Sequence, residues 1–117
     1  SNFHETICNN PAQVGYVAGT GLIAGPDPRE MAKSDLVVIW GTNPVNTQVN
    51  VMTHATRARK ERGAKIVVID PRCTATAEDA DLYLTIAPGT DTVLFCGLLA
   101  HLAAGGSVAL KPGGRLP

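Results

Sequence analysis

Apolar positions along the chain gather into short continuous runs separated by glycine and proline. The clearest run is Asp35-Leu36-Val37-Val38-Ile39-Trp40-Gly41, rich in β-branched residues and stopped by glycine. A run of this kind predicts a strand buried on both faces. The pattern recurs in Lys65-Ile66-Val67-Val68-Ile69-Asp70, stopped by Pro71, and more weakly in Leu82-Tyr83-Leu84-Thr85-Ile86, stopped by Pro88-Gly89. Between the first two runs, Val51, Met52, Ala55, Ala58 and Arg59 recur on a helical period, so Val49 to Arg62 is predicted to be a helix. Arg57, Arg59, Lys60 and Arg62 suit the negative end of its dipole, and Gly63 supplies the stop. Strand, helix and strand at this spacing form a βαβ unit with parallel strands and a right-handed crossover.

The expected architecture is therefore an open α/β sheet of three or more parallel strands with flanking helices. Thr74 to Asp79 predicts a short helix before the third strand. Asp91 to Ala104 predicts a longer one, with Val93, Leu94, Gly97, Leu98 and His101 near one face and Leu99 and Leu102 beside it. Thr90 or Asp91 is placed to cap that helix. On this reading Cys96 lies on its inner face as a small buried hydrophobe.

Three regions follow. Residues 1–34 form a leading segment, residues 35–104 the sheet unit, and residues 105–117 a flexible tail without periodicity. The stretch from Phe3 to Gly25 is rich in Gly, Asn and Thr and allows a helix near Ala12–Ala18. Pro28 to Lys33 predicts a helical turn or two, capped by Asp27.

Composition narrows the function classes. The 117 residues carry 10 basic and 10 acidic side chains, a formal net charge of zero that argues against nonspecific nucleic-acid binding. Aromatic residues are 4%, too few for a base-stacking surface. No apolar run approaches the ~18 residues of a membrane span. The first residues show no basic stretch followed by an apolar one, so no secretory signal is read there. Cys8, Cys73 and Cys96 form neither a CxxC pair nor zinc-ligand spacing, and their odd number disfavours a full disulfide framework. The compartment stays open.

Open parallel sheets bind ligands at the carboxyl ends of their strands. Here those ends carry Gly41-Thr42-Asn43-Pro44, Asp70-Pro71-Arg72 and Pro88-Gly89-Thr90-Asp91. The first lies where a dinucleotide-binding unit places its phosphate loop. Glycine lets backbone approach a diphosphate, and free N–H groups of the following helix can hold it. A tight βα turn explains the same residues. Asp70 can accept from ribose hydroxyls, or form a turn with Pro71. Arg72 can pair with phosphate or stack on a base, or be a solvated arginine. Asp91 can cap its helix, and its carboxylate can accept from N1–H and the exocyclic amine of guanine. Gly19-Thr20-Gly21 is no dinucleotide fingerprint, because no strand precedes it and Gly25 falls at the wrong spacing. Cys8 lies in a polar stretch with no apolar periodicity to account for it, and Cys73 follows Arg72 in a loop.

Taken together, these motifs resemble the molybdopterin-dependent oxidoreductases of the dimethyl-sulfoxide-reductase superfamily, from about Phe3 to His101. The resemblance is carried by Ile39-Trp40-Gly41-Thr42-Asn43-Pro44, by Val68-Ile69-Asp70-Pro71-Arg72 with Thr74 and Thr76, and by Ala80-Asp81 and Pro88-Gly89-Thr90-Asp91. It implies a Rossmann-like domain holding one of two molybdopterin guanine dinucleotides on molybdenum. It implies that Trp40, Gly41, Thr42, Asn43, Pro44, Asn46 and Thr47 line the diphosphate. It implies that Asp70, Pro71, Arg72 and Thr74 meet ribose and guanine, and that Gly89, Thr90 and Asp91 read the base. Cys8-Asn9-Asn10-Pro11-Ala12-Gln13-Val14 resembles the family's metal-ligand segment, with Cys8 as the ligand and catalytic residue. A thiolate there is a soft ligand that the metal holds deprotonated, as in formate dehydrogenases and periplasmic-type nitrate reductases.

The resemblance further implies a parent enzyme with additional domains, a 4Fe-4S cluster whose ligands are not in this chain, and an electron-transfer partner. The chain is then a domain fragment, expected to be inert in isolation, and its glycine-rich end departs from the family's usual continuation. The competing expectation is a stand-alone nucleotide-binding module without metal, for which Cys8 has no use.

Overall fold

The computed structural model describes residues 6–105. The tail expected over 105–117 lies outside the described residues from Gly106 onward, as does the start of the leading segment at Phe3. In chain order the elements are helix α1 (Asn9–Thr20), a 3-10 helix (Pro28–Lys33), strand β1 (Leu36–Trp40), helices α2 (Pro44–Thr47) and α3 (Val49–Arg62), strand β2 (Lys65–Ile69), helix α4 (Ala75–Glu78), strand β3 (Leu82–Leu84) and helix α5 (Asp91–Gly105).

The three strands form one parallel sheet in the order β1-β2-β3. Val38, Val67 and Leu82 stand in one row, and Trp40, Ile69 and Leu84 in another. One core joins Val37 and Ile39 of β1, Ile66 and Val68 of β2, Met52, Ala55 and Ala58 of α3, Ala64 and Ala77. Ala55 and Ala58 are fully buried. Their small side chains let α3 lie close to the strands, and the β-branched residues fill the space between.

The expectation that the first strand is buried on both faces is corrected. Val37 and Ile39 point into the core, whereas Leu36 and Val38 are exposed, at 55% and 50%. Leu82, in the same row as Val38, is also exposed. Alternate residues of a strand face opposite sides, and nothing among the described residues covers that second side. The helix expected over 91–104 is present, but its apolar face is not packed. Among the described residues of α5 only Leu94 is half-buried, and Cys96 is exposed rather than on an inner face.

The segments around the sheet unit are tied by polar contacts. The Arg59 guanidinium at the end of α3 donates to the Asp79 carbonyl at 2.6 Å and pairs with Asp81 at 3.2 Å. Asp81 in turn accepts the Ile66 N–H at 2.8 Å. That backbone hydrogen bond, with help from Arg59 and Lys65, holds the Asp81 carboxyl below its usual range. Arg62 pairs with Asp35 at 2.6 Å. Gly63 ends α3 in the left-handed conformation, with its N–H bonded to the Arg59 carbonyl, as its position predicts. The 3-10 helix carries the predicted cap, Asp27 accepting the Arg29 N–H at 2.9 Å.

Candidate functional site

Two of the three polar clusters follow directly on β1 and β2, and the third lies between β3 and α5. After β1 the chain turns at Gly41, which has a φ of +65°. Its N–H continues the ladder by donating to the Ile69 carbonyl at 2.9 Å. A side chain in this left-handed region is strained, which accounts for glycine here. Thr42 and Asn43 then lead into α2, with Pro44 buried at its first position, where the missing N–H costs nothing.

The amides of α2 are not free, which corrects one part of the phosphate-loop expectation. The Asn46 and Thr47 N–H groups both donate to the Asn43 carbonyl at 3.1 Å. The Val45 N–H donates to the Thr76 hydroxyl at 3.2 Å. The unengaged donors lie earlier. The backbone N–H groups of Thr42 and Asn43 have no partner among the described residues. The Asn43 side chain accepts the Thr76 hydroxyl proton at Oδ1, 2.7 Å, leaving its Nδ2 unengaged among the same residues. The loop therefore offers donors, as an anion requires. They come from the turn itself rather than from the helix behind it.

Asp70, at the end of β2, is buried. Its N–H donates to the Leu84 carbonyl, its carbonyl accepts from the Tyr83 hydroxyl at 3.0 Å, and its Oδ1 accepts the Arg72 N–H at 2.8 Å. The turn-forming reading is thus realised. Oδ2 has no partner among the described residues and can accept from a ligand hydroxyl. Pro71, Arg72 and Cys73 are exposed. The Arg72 guanidinium makes no ion pair among the described residues. Thr74 caps α4 by accepting the Ala77 N–H at 3.3 Å.

Strand β3 ends at Leu84, short of the expected Ile86, and the third cluster follows in the turn beyond it, where Gly89 has a φ of +83°. The predicted side-chain caps of α5 are otherwise engaged. The Thr90 hydroxyl donates back to the Ala87 carbonyl at 2.6 Å, and Asp91 Oδ1 accepts the Trp40 indole N–H at 2.7 Å. That last bond joins the end of β1 to the start of α5 and brings two of the three clusters together. It also occupies one of the two carboxylate oxygens proposed to read a base. A carboxylate has about four acceptor positions, so Asp91 retains capacity.

Cys8 immediately precedes α1 and is exposed, with no side-chain cap bond. Within and just after α1 the Tyr16 hydroxyl donates to the Ala24 carbonyl at 2.7 Å. Among the described residues no three His, Cys, Asp or Glu side chains converge on a metal position. Grooves lie beside Pro26–Ser34 and β1, and beside Val49, Met52 and Lys60 of α3, away from the strand ends.

Two side chains of the site carried no assigned role in the sequence: Tyr83, which holds Asp70, and Thr76, which holds Asn43. The Trp40–Asp91 pairing was likewise not legible. Its partners are separated by 51 residues, and only the shared motif order hinted that they meet.

Comparison with known proteins identifies the family of the chain. The family model described as molybdopterin oxidoreductase matches residues 1–112. A probable oxidoreductase, YoaE, of Bacillus subtilis is 41% identical over 99 residues, covering 85% of this chain and 14% of that protein. A nitrate reductase of Klebsiella oxytoca is 37% identical over 108 residues, 91% of this chain and 12% of its own length. The F420-dependent formate dehydrogenase 1 subunit alpha of Methanococcus maripaludis is 35% identical over 86 residues, 74% of this chain and 12% of that subunit. The chain thus spans about an eighth of the length of these relatives.

Proposed function

The chain belongs to the molybdopterin oxidoreductase family, and from that premise we propose that it is the part of a larger redox enzyme that holds one molybdopterin guanine dinucleotide. The observation that carries the reading is the bond from Trp40 at the end of β1 to Asp91 at the start of α5, the helix that follows β3, with Asp70 at the end of the strand between them. Three ligand-facing clusters thereby share one edge of the sheet, where open parallel sheets bind nucleotides.

The donor and acceptor chemistry fits such a group. The Thr42 and Asn43 amides and the Asn43 side-chain nitrogen suit a diphosphate. The free oxygen of Asp70 suits a ribose hydroxyl, and Arg72 is free to meet an anion or a ring face. The remaining acceptor capacity of Asp91 suits the N–H edge of guanine, with Gly89 and Thr90 shaping the turn that presents it. Pro44, Asn46, Thr47, Pro71 and Thr74 shape the same rim. Cys8 supplies the thiolate ligand. When bound, the cofactor supplies two-electron redox chemistry at molybdenum, and the protein contributes binding, orientation and electrostatics.

The parent activity on this reading is formate-dehydrogenase-like or nitrate- or oxide-reductase-like. The second dinucleotide, a 4Fe-4S cluster and the electron partner are met through the parent's other domains, and the isolated chain is inert. Family membership favours this over a free-standing nucleotide module, which leaves Cys8 without a task. The test is Cys8→Ala in the full-length parent. Turnover is expected to be abolished while guanine nucleotide is retained, and unchanged turnover contradicts the assignment of Cys8.

A further inference from the structure

Thr76 is fully buried, yet it carries a hydroxyl. A buried hydroxyl is costly unless both its donor and acceptor functions are used. Both are used here, and both by the same loop. Thr76 accepts the Val45 N–H at 3.2 Å and gives its only proton to Asn43 Oδ1 at 2.7 Å. Thr76 stands on α4, 33 residues beyond Asn43, so it acts across the sheet edge rather than within the turn.

The consequence lies in the orientation of the Asn43 amide. An asparagine side chain presents either an acceptor oxygen or two N–H donors, depending on which way the amide is turned. With Oδ1 engaged by a hydroxyl that has one proton and a settled acceptor partner, the oxygen is held toward α4. The amide nitrogen is left as the unengaged end. A reversed amide would set a carbonyl dipole against an anion and leave the Thr76 proton without its acceptor.

We infer that Thr76 is a positioning residue for cofactor binding: it fixes the Asn43 amide so that the Gly41–Thr47 loop presents donors only to the diphosphate of the dinucleotide. The inference rests on the proposed function above. Thr76 itself does not touch the ligand. It is fully buried, and its hydroxyl sets the polarity of the loop.

The experiment uses the full-length parent made in a host that supplies the cofactor, and reads guanine nucleotide released by acid per protein. Thr76→Val keeps the shape and removes both hydrogen bonds. It is expected to lower retained nucleotide about tenfold, the scale of one hydrogen bond to a charged group. Thr76→Ser keeps the hydroxyl and is expected to stay within about twofold of the natural protein. Asn43→Asp still accepts the Thr76 proton but cannot donate, and it adds negative charge. It is expected to fold and to lose nucleotide at least as severely as Thr76→Val, and it carries the test if Thr76→Val does not fold. Wild-type retention in Thr76→Val or in Asn43→Asp overturns the inference, as does a Thr76→Ser variant that loses as much as Thr76→Val. A natural protein without guanine nucleotide removes the proposed function and this inference with it, whereas a loaded natural protein with an equally loaded Thr76→Val variant removes the inference alone.

Discussion

The βαβ unit from Leu36 to Ile69 and the helix α5 are both strongly apolar in sequence, yet they meet opposite fates. In the first, Val37, Ile39, Ile66, Val68, Ala55 and Ala58 close into one core. In the second, Val93, Phe95, Leu98, Leu99 and Leu102 all remain exposed. The difference is one of partners rather than hydrophobicity. The strands and α3 present apolar faces to one another at short sequence separation, so the chain satisfies them itself. Helix α5 is apolar on several sides, a pattern of helices enclosed by protein all round, and the described residues offer it no matching surface. The bare row of Val38 and Leu82 repeats the lesson on the sheet. Parallel sheets are ordinarily covered on both faces.

The largest effect that sharpens this contrast is a core truncation. Ile66→Ala is expected to cost about 2–5 kcal/mol of unfolding free energy, whereas Leu98→Ala in the 117-residue chain is expected to change it by less than about 0.5 kcal/mol. Urea denaturation measures both. The comparison breaks if the two substitutions cost the same. It is sharpened if Leu98→Ala becomes as costly as a core substitution in the full-length parent, where a partner surface is expected.

The loop at the first strand end should respond through backbone conformation rather than packing. An added Cβ at Gly41 meets no atom within 4 Å, so the strain of its φ of +65° is the dominant cost. Gly41→Ala is expected to cost about 1–2 kcal/mol, read by the same denaturation. A neutral outcome would show that the turn relaxes and does not hold the Thr42 and Asn43 amides in place.

The smallest expected effect is pH-dependent. Asp81 is the carboxylate that ties β2, β3 and the end of α3, and its folded-state pKa is lowered, first by the Ile66 N–H and then by Arg59 and Lys65. A lowered folded pKa contributes stability that is present above the unfolded value of about 4 and lost as pH falls through the folded value. Asp81→Asn is therefore expected to destabilise at neutral pH and to converge with the natural protein in acid. Equal destabilisation at all pH values would assign the effect to packing. The charge is solvent-screened, so its part is small.

What the sequence disclosed follows the same division. The bounds of α3, Val49–Arg62, coincide with the periodicity because a glycine stop and two apolar runs delimit it. The short helix before β3 was legible from Thr74, whose side chain caps it. Helix α1 runs from Asn9 to Thr20, beyond the stretch near Ala12–Ala18 that composition allowed, because its glycines and asparagines weaken the propensity signal without preventing the helix. Burial on the second face of β1 and around Cys96 was not legible, since local pattern reports what a residue favours and not what lies opposite. The strand-end positions of Gly41 and Asp70 and the place of Asp91 at the start of α5 were readable from the order of strands and stops, whereas β3 ends at Leu84, short of the expected Ile86. The links that give them polarity, Trp40 to Asp91 and Thr76 to Asn43, connect residues far apart in the chain and emerge only from the fold.

The most direct measurement is the metal and nucleotide content of the full-length parent, purified from a host able to supply the cofactor. The account predicts molybdenum together with guanine nucleotide released on acid hydrolysis, about two nucleotides per metal if the second dinucleotide is held by the other domains. Protein that carries neither metal nor guanine nucleotide would contradict it, and would return Cys8 to an ordinary exposed cysteine.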